Sequence, residues 1–259
     1  MLNTAPVAGA PIWLDLGSRD IPAATAFYRA VLGWEYVSAG PEAGGYGMFT
    51  VDAKNVAAIG PLTEEGARSA WTIYFQTPDA EATTKAVEQA EGTVRMPAMD
   101  VMGLGYMAHY TDPTGGDFAV WQPGLNGGVD LVNAPGALTW TELFTGDVGG
   151  AGDFYREVLG WTYSDAPIPG LTYLVVATGT GDGDRRQGGV TTGSGAAVPV
   201  GWHPYFEVAD CDAAVAAVTA HGGSVVTPVD DNPAIGRFAL VADPEGARFA
   251  VITSAPVPA

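Results

Sequence analysis

Basic residues are scarce in this chain. Only 11 of 259 residues are Lys or Arg against 29 Asp or Glu, the formal net charge is -18, and no Lys/Arg cluster occurs anywhere. Phosphate backbones and anionic lipid surfaces demand a basic footprint, so nucleic acid and membrane are excluded as partners. Cysteine is scarcer still: Cys211 stands alone and cannot form an internal disulfide. No apolar run reaches the roughly 18 residues of a membrane-spanning helix. Met1 to Ala10 lack the basic region and apolar stretch of a signal peptide. The expectation is a reduced, cytoplasmic protein, monomer or homodimer. What the chain does have is apolar residues, 47% of the total, and 36 glycines, a composition that folds rather than one that stays disordered.

The sequence repeats itself. Trp13, Asp15, Asp20, the pair Phe27-Tyr28 and the run Leu32-Gly33-Trp34 return 127 residues later as Trp140, Glu142, Asp147, Phe154-Tyr155 and Leu159-Gly160-Trp161. Trp71-Thr72-Ile73-Tyr74-Phe75 returns as Trp202-His203-Pro204-Tyr205-Phe206, and Asp112-Pro-Thr-Gly115 as Asp243-Pro-Glu-Gly246, now 131 residues apart. Four residues are therefore inserted between these two sets of anchors, in the loop-like Gly179 to Gly195 region.

Each copy divides again. Alternation in Ile12 to Gly17 predicts a strand, Asp20 a helix cap, and Ala24, Phe27, Tyr28, Val31 and Leu32 the apolar face of a helix that Gly33 ends. Strands follow at Tyr46 to Val51 and Val56 to Ile59. The order then returns: a strand at Trp71 to Gln76, a helix from about Asp79 to Ala90 closed by Gly92, and strands near Thr93 to Met96, Gly105 to Tyr110 and Phe118 to Gln122. The expected class is α+β, with tandem modules at residues 9–124 and 136–254, a linker at 125–135, and two paired βαβββ units per module.

A helix carrying Phe-Tyr and then Leu-Gly-Trp, a late Asp-Pro-x-Gly turn and paired βαβββ units together resemble the vicinal oxygen chelate superfamily. That family includes glyoxalase I, extradiol dioxygenases and bleomycin- and fosfomycin-resistance proteins. The resemblance runs from about Ala10 to Thr253 and implies that each pair of units curls into an incomplete, cup-shaped barrel. It also implies a divalent metal on the cup floor, held by His or Gln on the first strand, His on the strand opening the second unit, and Glu on the last strand. Carried onto this sequence, the first position falls on Trp13 and Trp140, the second on Thr72 and His203, the third on Ala119 and Ala250. A mononuclear site needs three or more N, O or S ligands, and of these six residues His203 is the family-like one. The expectation is no metal and no other cofactor. The alternative is a divalent metal held by Asp15 or Glu142 with His203 and Tyr205. No nicotinamide or flavin fingerprint is visible.

In the family register Trp13 with Asp15, Trp140 with Glu142, Thr72 with Tyr74, and His203 with Tyr205 face the cup. The candidate catalytic residues are His203, Asp15, Glu142 and Tyr205, since a histidine beside a carboxylate in a desolvated pocket is a workable acid-base pair. Trp13, Trp140, Tyr74, Thr72, Trp71 and Trp202 are the candidate substrate-binding residues, an aromatic lining that suits a flat, largely apolar ligand. Each has a plainer reading: His203 as a hydrogen-bonded edge residue ahead of Pro204, the carboxylates as partners of backbone groups, the tryptophans as core. Pairing of units within a module or between modules decides whether Glu142 or Asp15 meets His203. Elsewhere, His221 ends a helix and reads as structural, and His109 lies on a strand with its face undecided. Acidic neighbours disfavour a Cys211 thiolate, and Gly179 to Asp184 lacks the lysine of a phosphate loop.

Three functions compete. The first is a metal-independent tailoring enzyme that cyclises an aromatic or polyketide-like small molecule, or forms its ketal, by acid-base chemistry. The second is a non-catalytic drug-binding or resistance protein, and the third a divalent-metal lyase or dioxygenase of the same superfamily.

Overall fold

The computed structural model describes residues 2–62, 66–168, 170–179, 185–192 and 198–256. Strand β1 (Pro11–Ser18) leads into helix α1 (Ile21–Leu32), where the Asp20 carboxylate accepts from the Ala23 amide and Gly33, at φ 72°, turns the chain out. The buried residues of α1 are Ala24, Phe27, Tyr28, Val31 and Leu32, the face that the spacing predicts. β2 (Glu35–Ser38), β3 (Gly47–Val51) and β4 (Lys54–Pro61) complete the first unit. The sequence does not announce β2, because only Tyr36 is half-buried among exposed neighbours and no apolar alternation marks it.

The second unit is β5 (Ala70–Gln76), α2 (Ala80–Gln89), β6 (Thr93–Asp100), β7 (Gly105–Thr111) and β8 (Asp117–Pro123). The third is β9 (Leu138–Phe144), α3 (Val148–Leu159), β10 (Thr162–Asp165), β11 (Tyr173–Ala177) and β12 (Arg186–Thr191). The fourth is β13 (Gly201–Glu207), α4 (Cys211–Ala220), β14 (Ser224–Val225), β15 (Asp230–Asn232), β16 (Gly236–Ala242) and β17 (Arg248–Ser254). Asp79, Asp147 and Asp210 cap their helices as Asp20 does. Among the described residues no helix is long and apolar enough to cross a membrane.

The strands form an eight-stranded sheet, with runs β2-β3-β4-β1 and β5-β8-β7-β6, and a nine-stranded one, with runs β10-β11-β12-β9 and β13-β17-β16-β14 and β15 beside β16. Each sheet gathers the strands of one module and neither closes on itself, the α+β tandem arrangement that the repeat implies. Register locates the insertion. Leu174, at the place of Gly47, pairs with Val190, at the place of Ile59. The four extra residues therefore lie in the β11–β12 connection. Residues 180–184, most of the Gly179 to Asp184 run, are outside the described residues.

Contacts divide the chain differently from sequence, into two lobes. The first holds Met1–Trp13, Thr72–Val129 and Trp140–His203; the second holds Leu14–Trp71, Asp130–Thr139 and Pro204–Ala259. Each lobe thus takes one βαβββ unit from either module. The repeated signature residues are what join the units inside a lobe. In the first, Trp202 Nε1 donates to the Tyr155 hydroxyl at 2.8 Å, which donates to Asp112 Oδ2 at 2.8 Å. In the second, Trp71 Nε1 donates to the Tyr28 hydroxyl at 3.0 Å, which reaches Asp243 Oδ2 at 3.2 Å. The other oxygen of each aspartate folds its own turn, Asp112 Oδ1 accepting from Thr114 and Gly116, and Asp243 Oδ1 from Glu245 and Ala247.

Around each phenol lies an aromatic core. Tyr155 stacks on Trp161 at 4.7 Å and Tyr28 on Trp34 at 5.4 Å. The stacked indoles donate to the carbonyls of Gly9 and Gly136 respectively. Both glycines hold positive φ, and a Cβ on Gly9 would meet the Leu159 carbonyl oxygen at 2.6 Å. Burial first, then the facing aspartate, push both phenols well above their usual pKa, so they remain protonated donors.

Tyr155→Phe removes an acceptor from the buried Trp202 N–H and a donor from Asp112 at once. It is expected to lower the unfolding free energy by about 1–3 kcal/mol in urea titration, and an unchanged midpoint would show the hydroxyl to be idle.

Candidate functional site

Strand alternation sorts the candidates. On β13, Trp202 and Phe206 enter the aromatic cores, Trp202 against Tyr155 and Phe206 against Trp34 and Trp71. His203 and Tyr205, both buried, therefore take the opposite face. On β5, Trp71 and Phe75 lie in cores while Thr72 and Tyr74 face the other way. Trp71 and Trp202, expected to touch substrate, are thus placed on the core side with their indole N–H groups committed to Tyr28 and Tyr155. The alternation that turns Thr72 and His203 outward from the core turns these neighbours inward.

In the first lobe, β9 presents Trp140, Glu142 and Phe144 on one face. Trp140 Nε1 donates to the Tyr173 hydroxyl at 3.0 Å, and that phenol is hydrogen-bonded to the Glu142 carboxyl. An indole nitrogen can only donate, so the phenol accepts from Trp140 and gives its own hydrogen to Glu142. Burial, and after it the charge of Glu142, push the Tyr173 phenol well above its usual pKa, which keeps that proton in place. The slot for the ring is made by Gly189, which stands opposite Glu142 on β12 and where any Cβ would collide with the Tyr173 hydroxyl. Glu142 is only 7% exposed and His203 only 4%. The His203 ring meets Phe144 edge-on at 5.0 Å, which sets it beside the face that carries Glu142.

The second lobe also holds a tyrosine bonded to a carboxylate. The Tyr46 hydroxyl donates to Asp15 Oδ1 at 2.7 Å, and Tyr205 lies on its strand opposite Ala250, 6.3 Å from the Phe238 ring. Trp13 is buried and Thr72 half-buried; Tyr74 is buried with its hydroxyl 3.1 Å from His109 Nε2. Sequence reasoning passed over Tyr46 and Tyr173. The available signal was their spacing, because they recur at 127 residues just as Asp15 and Glu142 do.

The residues at the family's metal positions do not fit a divalent ion. Trp140 offers a donor-only nitrogen already given to Tyr173, and Ala119 and Ala250 are fully buried without a ligating atom. Among the described residues no three His, Cys, Asp or Glu side chains gather into a group that could hold a metal. Two further candidates stay outside the site. His221 caps the end of α4, its Nδ1 at 2.9 Å from the Ala217 carbonyl oxygen. Cys211 is buried, and burial followed by Asp212 raises its thiol to about 11.

Residues 11–120 match the model of the glyoxalase/bleomycin resistance protein/dioxygenase superfamily, and residues 141–252 match that of a glyoxalase-like domain. The chain belongs to this superfamily. Among relatives, it is 42% identical to the anthracycline biosynthesis protein DnrV of Streptomyces peucetius over 97% of this chain and 95% of that one. Two solved structures of the superfamily share its fold. The Mn(II)-bound glyoxalase of Novosphingobium aromaticivorans has a TM-score of 0.64 at 17% identity, covering 97% of this chain and 89% of the other. The 2,2',3-trihydroxybiphenyl 1,2-dioxygenase of Sphingomonas wittichii strain RW1 has a TM-score of 0.65 at 15% identity, covering 97% and 92%. Against these superfamily members, the chain keeps the tandem fold while its own metal positions carry Trp, Thr, His and Ala.

The folded pKa of Tyr173 lies above the unfolded value of about 10, so its contribution to stability is complete below that pH and is lost as pH rises toward the folded value. The stability gap between the wild type and Tyr173→Phe is expected to narrow in urea melts above about pH 10. A constant gap would contradict the buried, protonated phenol.

Proposed function

We propose that the chain is a metal-independent tailoring enzyme for an aromatic or polyketide-like secondary metabolite, acting by acid-base cyclisation, ketal formation or a related proton transfer. The observation that carries this reading is the Trp140–Tyr173–Glu142 chain on the face beside His203. Fixed donors behind a carboxylate orient it without reorganisation, which is how preorganised sites lower barriers. The kinship with an anthracycline biosynthesis protein over almost the whole of both chains supports an aromatic, polyketide-like substrate.

Closing a ring onto a carbonyl takes one proton from the attacking hydroxyl and delivers one to the carbonyl oxygen. In this reading His203 accepts the first and returns it to the second, while Glu142 accepts a hydrogen bond that orients the substrate hydroxyl. Asp15, held by Tyr46, and Tyr205 are the corresponding polar groups of the second lobe. Trp13, Trp140, Thr72 and Tyr74 supply aromatic and hydroxyl lining.

With an anthracycline precursor as substrate, His203→Ala is expected to lower kcat by about a hundredfold or more, and exhaustive chelation to leave the wild-type rate unchanged. Wild-type turnover in His203→Ala, or recovery of the precursor unaltered after stoichiometric binding, would overturn catalysis at this site. The second of those outcomes would favour a binding role.

A further inference from the structure

Five asparagines occur in the chain, followed by Thr4, Val56, Gly127, Ala134 and Pro233. Of these followers Gly127 is the one without a Cβ, the group whose bulk holds an amide nitrogen away from the carboxamide before it. We propose that Asn126 is a site of spontaneous deamidation, closing onto the Gly127 nitrogen in the folded protein and converting to aspartyl and isoaspartyl forms.

The site lies in the connection between β8 and β9. The Asn126 amide donates to the Leu104 carbonyl at 2.9 Å, and the Asn126 carbonyl accepts from Trp121 Nε1 at 3.0 Å. The side chain is folded back over the residues that follow, Oδ1 accepting from the Gly128 amide at 3.0 Å. That bond holds the carboxamide across the Gly127 peptide and draws electron density from its carbon, as a donor does at any carbonyl about to be attacked. Gly127 itself is exposed, and its amide hydrogen is given to no acceptor among the described residues. The carboxamide nitrogen, which must depart, likewise makes no hydrogen bond among the described residues. The other asparagines lack this set. Pro233 has no N–H to offer, Val56 is β-branched and lies within β4, and Thr4 and Ala134 carry a Cβ.

The Gly127 nitrogen gives up its proton and bonds to Asn126 Cγ, the Cγ–Nδ2 bond breaks, and ammonia leaves carrying that proton. A succinimide ring remains, and one water opens it at either carbonyl. Opening at Cγ yields aspartate. Opening at the main-chain carbon yields isoaspartate, in which the chain runs through Cβ and Cγ. No oxidant, reductant or cofactor enters. Both products add a negative charge at position 126, and the second turns the carbonyl that receives the Trp121 indole into the charged group. Through Leu104 and Trp121, Asn126 ties the end of β8 to the β6–β7 hairpin, so the longer backbone of the isoaspartyl form strains that tie.

The test is incubation of the folded full chain in mildly alkaline buffer, with a guanidinium-unfolded sample in parallel. Peptide mapping by mass spectrometry reads the exchange of NH2 for OH, and 15N NMR follows the indole N–H signals, Trp121 being assigned through Trp121→Phe. Asn126 is expected to convert in the folded chain while the other four asparagines stay intact, and the Trp121 signal to move as product accumulates. Gly127→Ala is expected to lose the conversion and keep the fold, since Gly127 is not among the left-handed glycines and a Cβ there would meet nothing within 4 Å. Conversion in the unfolded sample alone, or in neither, overturns the site. So do a wild-type rate in Gly127→Ala and a Trp121 signal that stays fixed in converted protein.

Discussion

A single phenol hydroxyl, used twice, organises each lobe. Tyr155 takes a hydrogen bond from one indole and gives one to a turn aspartate, and Tyr28 does the same at the equivalent place. The hydroxyl group is suited to this because it is donor and acceptor at once, whereas the indole can only give and the carboxylate can only take. Aromatic stacking supplies the burial that makes these bonds expensive to lose, and the bonds fix which aromatic meets which. The motifs that mark the repeat, Phe-Tyr, Leu-Gly-Trp and Asp-Pro-x-Gly, are the parts of this junction. They carry architecture and leave the opposite sheet faces free to vary.

Much of the fold is legible in the sequence because its signals are local. Asp20 and Gly33 bound α1, and the spacing from Ala24 to Leu32 gives its buried face. β2 escapes because an exposed edge strand has no apolar alternation to read. The exchange of units between lobes is equally invisible, since Tyr28 and Asp243 are adjacent only in space. At the site, period-two reasoning places His203, Tyr205, Thr72 and Tyr74 on one side, but the same rule read one residue further puts Trp71 and Trp202 in the core. Tyr46 and Tyr173 were recoverable from the repeat alone, whereas the Tyr74–His109 contact depends on strand register that no single sequence displays.

The two modules have diverged by exchanging polar groups on a fixed frame. Both retain a tyrosine bonded to a carboxylate, Tyr46 with Asp15 and Tyr173 with Glu142, and in the second Trp140 donates to the phenol. Gly189 shows how closely that arrangement is fitted, since the strand beside Glu142 must give up its side chain for the tyrosine to lie there. The positions that the superfamily resemblance assigns to metal ligands carry Trp13, Trp140, Thr72, His203, Ala119 and Ala250.

The reciprocal reach of Tyr28 to Asp243 and of Tyr155 to Asp112 also bears on ancestry. One module contains both the phenol and the aspartate, yet each finds its mate in the other module. Two separate copies of an ancestral half-length chain would satisfy the same bonds by symmetric exchange. The single chain thus carries one reciprocal bond pattern twice, while its two halves hold different histidines, His203 where the first has Thr72 and His109 where the second has Leu240.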